Sequence, residues 1–312
     1  MNKLDVKRFF EKFDTDSTIQ RVDASHPLDI YFGLSSEGYK TLFVFSMVKF
    51  PKLKSSKGIS IVEYKKLDEY ILTFKLVDTS IEELFYVFCA DMVDSTRNCT
   101  KIQGNSSIIN RYLKWQTLFA KKKLNLLSED EIKGLIGELL FLKEFAMRKY
   151  GETDGLNSWV GPFGCDQDYS IRDTWYEIKS INSGAKTISI SSLEQLDNKD
   201  KGYLVVLELD KTSNVNDKSI TLNTLIENIK SNFKEMSNKE KFENILFNFG
   251  YVKDDDYDEF CYKLSSIKMY RVAQDFPKLL RSNIPNGIVG AKYEISTVEV
   301  KNFYEGDIKW QD

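Results

Sequence analysis

The sequence predicts an α/β fold of the α+β kind, in which a mixed central sheet is flanked by helices and a β-rich module comes first. Three observations predict this fold. Residues 29–78 hold short segments that are rich in aromatic and β-branched residues and are broken by Gly, Ser and Lys. A long amphipathic helix pattern occupies residues 129–150, and strand-like segments then alternate with helical ones. With 312 residues, 42% of them hydrophobic, the chain can bury a substantial core in one large domain or two.

The first module is predicted to span residues 1–123. Residues 2–13 have the pattern of a short helix, and the strand-like segments of residues 29–78 suggest an antiparallel meander. A helix capped by Thr79 and Ser80 follows, and residues 106–123 repeat apolar side chains at helical spacing. Such a module suits recognition or dimerisation, and the sequence does not choose between these roles. The second domain is predicted to span residues 124–312.

Composition excludes several classes of protein. The net charge of −3 provides no overall basic surface, so a nucleic-acid partner would have to be held by local patches, a metal site or another subunit. Four scattered cysteines without a CxxC pair fit reduced thiols, and neither a signal peptide nor an apolar run of ~20 residues is evident. These features predict a cytoplasmic protein without a membrane partner. The single histidine, His26, removes Ser/His/Asp catalysis as an easy option.

The long helix carries a carboxylate on its apolar face. Ser128 and Glu131 form a capping box at its start, and Gly151 is a plausible end. Glu138 falls within a stripe of apolar side chains, which comprises Ile132, Leu135, Leu139, Leu142 and Phe145. A carboxylate in that position needs a partner, either a structural Arg or Lys or a functional site. The nearby glycines Gly134 and Gly137 would let another backbone or a ligand come close.

A second group of charged residues lies in a predicted hairpin. Glu177 and Lys179 share one face of a strand, and Asp173 can occupy the turn before it. If Asp168 begins the preceding strand, it pairs near Glu177, where two carboxylates repel each other unless a cation lies between them. Oxygen ligands at this density suit Mg²⁺. A surface hairpin with alternating charges explains the spacing equally well.

The combination is more specific than its parts. Asp168, Glu177 and Lys179 form a D-x8-E-x-K pattern behind the helix that carries Glu138, and this pattern resembles the PD-(D/E)XK nuclease superfamily. The strings GLIGELLFLKEF, WVGPFG, QDYS, YEIKS and ISISSLEQLD resemble one branch, the uncharacterised bacterial PD-(D/E)XK motif proteins, which tend to lie in anti-phage defence and restriction clusters. The motif core covers about residues 128–200, and RYLKWQ, the Phe-Pro pair at 276–277 and the last strand extend the likeness over most of the chain.

The chain also departs from the superfamily pattern. Gln167 stands before the key aspartate, where Pro is common in the superfamily. Asp166 competes with Asp168 for the aspartate position, and Asp173 is a third candidate. Asp168 is preferred, because Tyr169 and the residues after it continue as a strand.

The resemblance implies a fold, a cofactor and roles for named residues. The fold would be a restriction-endonuclease-like core, and the cofactor would be Mg²⁺, for which Mn²⁺ could substitute. Asp168, Glu177 and the Ile178 carbonyl would bind the ion, and Glu138 would reach it directly or through water. Lys179 would orient the attacking water, and Gln195 would lie near the scissile phosphate unless it is a solvated helix residue. The implied phosphate contacts are Ser180, Lys186 and Thr187, with Lys121–Lys123 as further local positive charge unless these lysines are an ordinary exposed helix end.

The expected activity is that of a Mg²⁺-dependent endonuclease that cuts DNA in a restriction or anti-phage defence system. Its partners would be the DNA phosphate backbone and other subunits of the same operon. A homodimer is expected, because two cuts usually need two active sites. Two alternatives stay open, namely a non-catalytic nucleic-acid-binding or scaffolding subunit and an RNA or tRNA nuclease.

Overall fold

The computed structural model describes residues 1–13, 19–119, 126–213 and 218–310. These residues belong to two units. One unit comprises Met1–Leu126 together with Gly250–Asp255, and the other comprises Leu127–Phe249 and Asp256–Asp312. The predicted boundary between residues 123 and 124 lies outside the described residues, as do Lys121–Lys123, and the boundary stays a prediction.

The first unit is an antiparallel sheet covered by helices, and β5 rather than β4 pairs with β3, so the predicted simple meander is wrong at this point. Its strands form an antiparallel sheet in the order β1-β2-β3-β5-β4. They are β1 (Ile19–Arg21), β2 (Asp29–Leu34), β3 (Lys40–Ser46), β4 (Ile59–Lys66) and β5 (Glu69–Leu76). The helices are α1 (Lys3–Phe10), α2 (Glu82–Ser95) and α3 (Lys101–Phe119). Phe32 and Phe74 face these helices and contact the rings of Phe10 and Phe88. The predicted β-rich N-terminal part is confirmed.

A distant segment completes the first unit. Lys3 on α1 forms an ion pair with Asp254, with 3.3 Å between Lys3 Nζ and Asp254 Oδ2, and both side chains are buried. Asn2 Nδ2 donates to Asp255 Oδ2 at 2.8 Å. Residues 250–255 therefore join the first unit although they follow most of the second unit in the chain, which nothing in the sequence indicated.

The second unit is built on a mixed sheet of the order β12-β10-β9-β7-β6. Strands β7 and β9 are parallel, and the other neighbours are antiparallel. A separate antiparallel pair joins β8 to β11. The strands are β6 (Tyr169–Ile171), β7 (Thr174–Ile181), β8 (Thr187–Ile190), β9 (Lys201–Lys211), β10 (Tyr262–Arg271), β11 (Tyr293–Ser296) and β12 (Tyr304–Asp307). The predicted mixed sheet flanked by helices is confirmed.

The helices of the second unit include the long one predicted before the hairpin. It begins as α4 (Glu129–Phe141), passes through a π-helical turn (Leu142–Ala146) and ends as α5 (Met147–Tyr150). The remaining helices are α6 (Glu152–Asn157), α7 (Leu222–Asn232) and α8 (Met236–Phe249). Short 3₁₀ turns occur in both units, at Thr79–Ile81, Gly161–Phe163, Asp255–Glu259, Arg281–Asn283 and Glu299–Phe303. None of the helices among the described residues combines the length and the apolarity that crossing a bilayer requires.

Local chemistry explains where the long helix begins and ends. The backbone N–H of Ser128 donates to Glu131 Oε2 at 2.8 Å, which completes the predicted capping box. Gly151 has a φ of 86°, a conformation that glycine adopts without strain, and its N–H still donates to the Met147 carbonyl at 2.9 Å. The helix therefore ends where the sequence predicts.

Helix α4 lies on one face of β7. A Cβ atom added to Gly137 would stand 2.1 Å from Ser180 Oγ and 3.7 Å from Ile178 Cγ2, so the absence of a side chain allows this approach. The opposite face of β7 carries Trp175, which packs against apolar side chains of β8, β9 and β11. The strand is thus covered on both faces, and charged side chains along it are removed from water.

Candidate metal and catalytic site

The hairpin of β6 and β7 brings Asp168 to Glu177. The pairing runs from Ile171↔Thr174 to Tyr169↔Tyr176, which sets Asp168 opposite Glu177 at the point where the ladder ends. Beyond this point the backbone N–H of Ile178 donates to the Asp168 side chain, at 2.8 Å from Oδ2, instead of to a main-chain carbonyl of a neighbouring strand. Asp166 and Asp173, the competing candidates, are exposed. The geometry therefore favours Asp168 as the aspartate of the site.

The same contact sets the direction of the Ile178 carbonyl. In a strand, the N–H and C=O of one residue point to the same side. Since the Ile178 N–H points to Asp168, its carbonyl oxygen is directed to the same edge of β7. The edge thus presents a main-chain oxygen next to the carboxylates, which is compatible with the predicted role of Ile178.

Glu138 reaches the site from α4. Its side chain is 9% exposed, and its Oε2 accepts a hydrogen bond of 2.6 Å from the indole Nε1 of Trp159. Its backbone carbonyl accepts a bond of 2.8 Å from the Tyr169 hydroxyl. Among the described residues no Lys or Arg lies within ion-pair distance of Glu138, so its partner is not the structural cation that was the alternative.

Glu177 is the most buried charged group of the site, at 0% exposure. Lys179 Nζ forms an ion pair with its Oε1 at 2.7 Å. Contacts from Lys179 and from the Asp168 backbone lower the pKa of Glu177, but burial and the negative charge of Asp168 outweigh them. A carboxylate buried beside a second carboxylate is costly, and a cation between the two would lower that cost.

Lys179 is held from a second side by Gln195. Lys179 Nζ donates to Gln195 Oε1 at 3.1 Å, and the same oxygen accepts the backbone N–H of Ser191 at 2.9 Å. The lysine side chain is 16% exposed. Gln195 is therefore placed to orient Lys179, and its position near the scissile phosphate stays a prediction.

The electrostatics of the group are dominated by burial. Burial raises the pKa of Glu138 and Glu177 well above the usual range, and the negative charge of Asp168 raises both further. Burial also raises the pKa of Asp168, which Lys179 and the Ile178 N–H lower. Lys179 is the cation that acts on all three carboxylates. If all three acids are ionised, one ammonium leaves two negative charges uncompensated, which matches the charge of one divalent cation.

The donor set fits a hard divalent cation in its chemistry. Three carboxylates and a main-chain carbonyl are the oxygen ligands that Mg²⁺ and Mn²⁺ take in proteins. Among the described residues no three His, Cys, Asp or Glu side chains already stand close enough to form a ligand shell. In this arrangement Glu138 Oε2 contacts the Trp159 indole and Glu177 Oε1 contacts Lys179.

The predicted phosphate contacts stay predictions. Ser180 lies on the face of β7 opposite Lys179, where its Oγ is buried against Gly137, the neighbour of Glu138, without a hydrogen-bond partner among the described residues. A phosphate contact at Ser180 would require that packing to open. Lys186 and Thr187 are exposed at the beginning of β8, and their contact with a substrate stays a prediction.

Two aromatic residues near the site were not predicted as functional. Trp159 donates a hydrogen bond to Glu138, and its signal in the sequence was a tryptophan within a glycine-containing loop. Tyr293 on β11 is half-buried, and its pKa is raised by burial and by the nearby charges of Asp197 and Glu177. No local pattern connects Tyr293 with a hairpin more than 100 residues earlier in the chain.

Comparison with known proteins adds one finding. A family model described as "Putative PD-(D/E)XK family member, (DUF4420)" matches residues 8–297, which covers both units. No curated protein and no solved structure matches the chain.

Proposed function

The chain belongs to the DUF4420 family of PD-(D/E)XK members, and from this membership and the geometry of the site we propose that it is a metal-dependent nuclease. Its substrate would be the phosphodiester backbone of DNA. The observation that carries the proposal is the burial of Glu177 beside Asp168, two acids that share a single ammonium, Lys179, whose Nζ lies 2.7 Å from Glu177 Oε1. Lys179 compensates one of these buried charges, and a divalent cation would compensate the charge that remains when the acids are ionised.

The roles of the residues follow from their positions. Asp168, Glu177 and the Ile178 carbonyl would hold the ion, with Glu138 as the acid from α4. A bound Mg²⁺ or Mn²⁺ supplies the Lewis acid that polarises the phosphodiester and lowers the pKa of a bound water. Lys179, the partly exposed cation, would orient the attacking water and stabilise the developing negative charge. Gln195 would hold the Lys179 ammonium in place through its 3.1 Å contact.

The cellular setting is part of the proposal. Restriction or anti-phage defence is the context that we propose for this nuclease. The homodimer and the partner subunits of an operon stay predictions, as does the choice of DNA over RNA. Linearised plasmid in the assay below, rather than nicked circles alone, would support two cooperating sites.

The test is cleavage of plasmid DNA with Mg²⁺ or Mn²⁺ by the intact protein and by Lys179→Met. Loss of the ammonium is expected to reduce cleavage by about 10²–10⁴-fold while the protein still binds the ion, because the carboxylates are unchanged. Lys230→Met is the matched control, since Lys230 lies in the same unit, is similarly covered and also pairs with a glutamate, Glu243, at 2.9 Å. Cleavage that survives Lys179→Met would contradict the assigned site.

A further inference from the structure

The indole of Trp159 is the one partner that the structure gives to the Glu138 side chain by hydrogen bonding among the described residues. Trp159 is completely buried, and its Nε1 lies 2.6 Å from Glu138 Oε2. An indole N–H only donates, so it satisfies one carboxylate oxygen without supplying a charge. The second oxygen of Glu138 is left for another partner.

The Trp159 ring is itself held on several sides. It stacks on the ring of Tyr169, with 6.3 Å between centroids and 10° between planes, and it contacts Phe242 at 6.2 Å. The backbone forms a bridge between Trp159 and Tyr169, and the Ser170 N–H donates to the Ser158 carbonyl at 2.8 Å. The indole therefore has little freedom to turn, and its N–H points in one direction.

The loop that carries Trp159 also holds Asp168. The backbone N–H groups of Val160 and Gly161 donate to the Asp168 carbonyl at 2.9 and 3.0 Å. A Cβ atom added to Gly161 would stand 3.1 Å from Asp168 Oδ1, so the loop passes directly beside this carboxylate. Residues 159–161 thus contact two of the three acids, one through a side chain and the other through the backbone.

The hydrogen bond from Trp159 would lower the entropic cost of using Glu138 as a ligand of an ion. A glutamate side chain loses rotamer freedom when it becomes a ligand, and that cost is smaller if a rigid donor already holds it. Outer donors of this kind orient metal ligands, and their loss typically weakens metal affinity by about 10–100-fold. We propose that Trp159 is a positioning residue that orients the Glu138 carboxylate toward a divalent cation, an inference that rests on the proposed function.

The test is Mn²⁺ affinity, measured by calorimetry on the full chain. Trp159→Phe keeps an aromatic ring and removes the N–H, and it is expected to weaken Mn²⁺ binding by about 10–100-fold. Trp115→Phe is the matched control, since Trp115 is equally buried and its Nε1 donates to Asp91 Oδ2 at the same 2.6 Å, but in the other unit. It is expected to leave Mn²⁺ affinity unchanged.

A double variant separates positioning from packing. In the Glu138→Gln background, Trp159→Phe is expected to cause no further loss of affinity, because the carboxylate that the indole orients is gone. An equal loss in both backgrounds would overturn the inference, as would wild-type affinity in folded Trp159→Phe. Failure of the wild-type chain to bind Mn²⁺ or Mg²⁺ would instead overturn the proposed function, and the inference with it.

If Trp159→Phe does not fold, the wild-type chain provides the measurement. In a ¹⁵N-labelled sample, the indole N–H signal that shifts in Glu138→Gln belongs to Trp159. Paramagnetic Mn²⁺ is expected to broaden this signal at concentrations that leave the Trp115 signal sharp. Equal broadening of both signals, or the absence of any indole shift in Glu138→Gln, would overturn the inference.

Discussion

The buried position of Glu177 changes the acid–base behaviour of its carboxyl group. Burial raises its pKa well above the ordinary value of 4.5, and the charge of Asp168 raises it further. Lys179 counteracts this effect but also faces Asp168 and Glu138. Without a further cation, the proton is the simplest partner for this group, and a divalent ion would replace it.

The raised pKa values of Glu138 and Glu177 predict a pH dependence of stability. A native acid with a raised pKa holds its proton more tightly than the unfolded chain does. The stabilisation that such an acid contributes to the folded state is complete below its unfolded pKa of about 4.5, and it is lost as the pH rises through the native pKa. In EDTA, the free energy of unfolding, measured by urea denaturation, is therefore expected to fall as the pH rises from about 4.5 through the raised native pKa values.

Two comparisons check the origin of that slope. The double variant Glu138→Gln/Glu177→Gln has neutral side chains of the same shape, and it is expected to lose most of the slope. Excess Mg²⁺ at the higher pH is expected to restore stability, by about 2.7 kcal/mol at one hundred times its dissociation constant. A flat profile for the wild type in EDTA would contradict the assigned burial.

Among the elements, the contact between α4 and β7 positions the site. Gly134 and Gly137 lie one turn apart on α4, but a Cβ atom at Gly134 would meet nothing within 4 Å, whereas one at Gly137 would stand 2.1 Å from Ser180 Oγ. Helix periodicity predicts that a close approach is possible at both glycines. In the structure only Gly137 is closely approached by another element.

These two glycines form a matched pair for mutation. Gly134→Ala is expected to raise the free energy of unfolding by up to ~1 kcal/mol, through helix propensity alone. Gly137→Ala gains the same propensity but must turn the Ser180 hydroxyl aside, so it is expected to be less stable than Gly134→Ala by about 1 kcal/mol in urea denaturation. Ser180→Ala in the Gly137→Ala background should recover part of the loss, and equal stability of the two alanine variants would contradict the packing.

At the scale of the whole molecule, each of the two units is built from two segments that are not contiguous in the chain. Residues 250–255 complete the first unit, and the buried pair of Lys3 and Asp254 ties them there. A fragment that ends near residue 126 therefore lacks part of its own unit. The predicted boundary between residues 123 and 124 stays a prediction, and residues 250–255 are a further segment of the first unit that it did not include.

Removing one partner of the buried Lys3–Asp254 pair is expected to lower the free energy of unfolding strongly. Lys3→Met leaves the Asp254 charge buried, and it is expected to cost about 3–5 kcal/mol in denaturant unfolding. Lys7→Met is the matched control, because Lys7 lies on the same helix and pairs with Glu83 at the same 3.3 Å, but in an exposed position. The control is expected to cost less than about 1 kcal/mol. Similar losses in the two variants would show that the Lys3 pair does not tie the segment.

Much of the candidate site could be predicted from local patterns. The period of the helix put Glu138 on the apolar face of α4, and strand alternation put Glu177 and Lys179 on one face of β7 with Asp168 opposite. The same alternation already separated Ser180 from Lys179. These predictions succeeded because the periods of helices and strands depend on backbone geometry and on residues close in the chain.

The tertiary structure decided the contacts between residues that no period relates. It alone showed that the partner of Glu138 is the Trp159 indole, that Gln195 holds Lys179, and that Tyr293 lies near Glu177. It alone showed residues 250–255 within the first unit. Such contacts join loops and segments far apart in the chain, and they depend on how the two faces of β7 are covered. The sequence by itself therefore determined which acids could form a site, and packing determined how each acid is held.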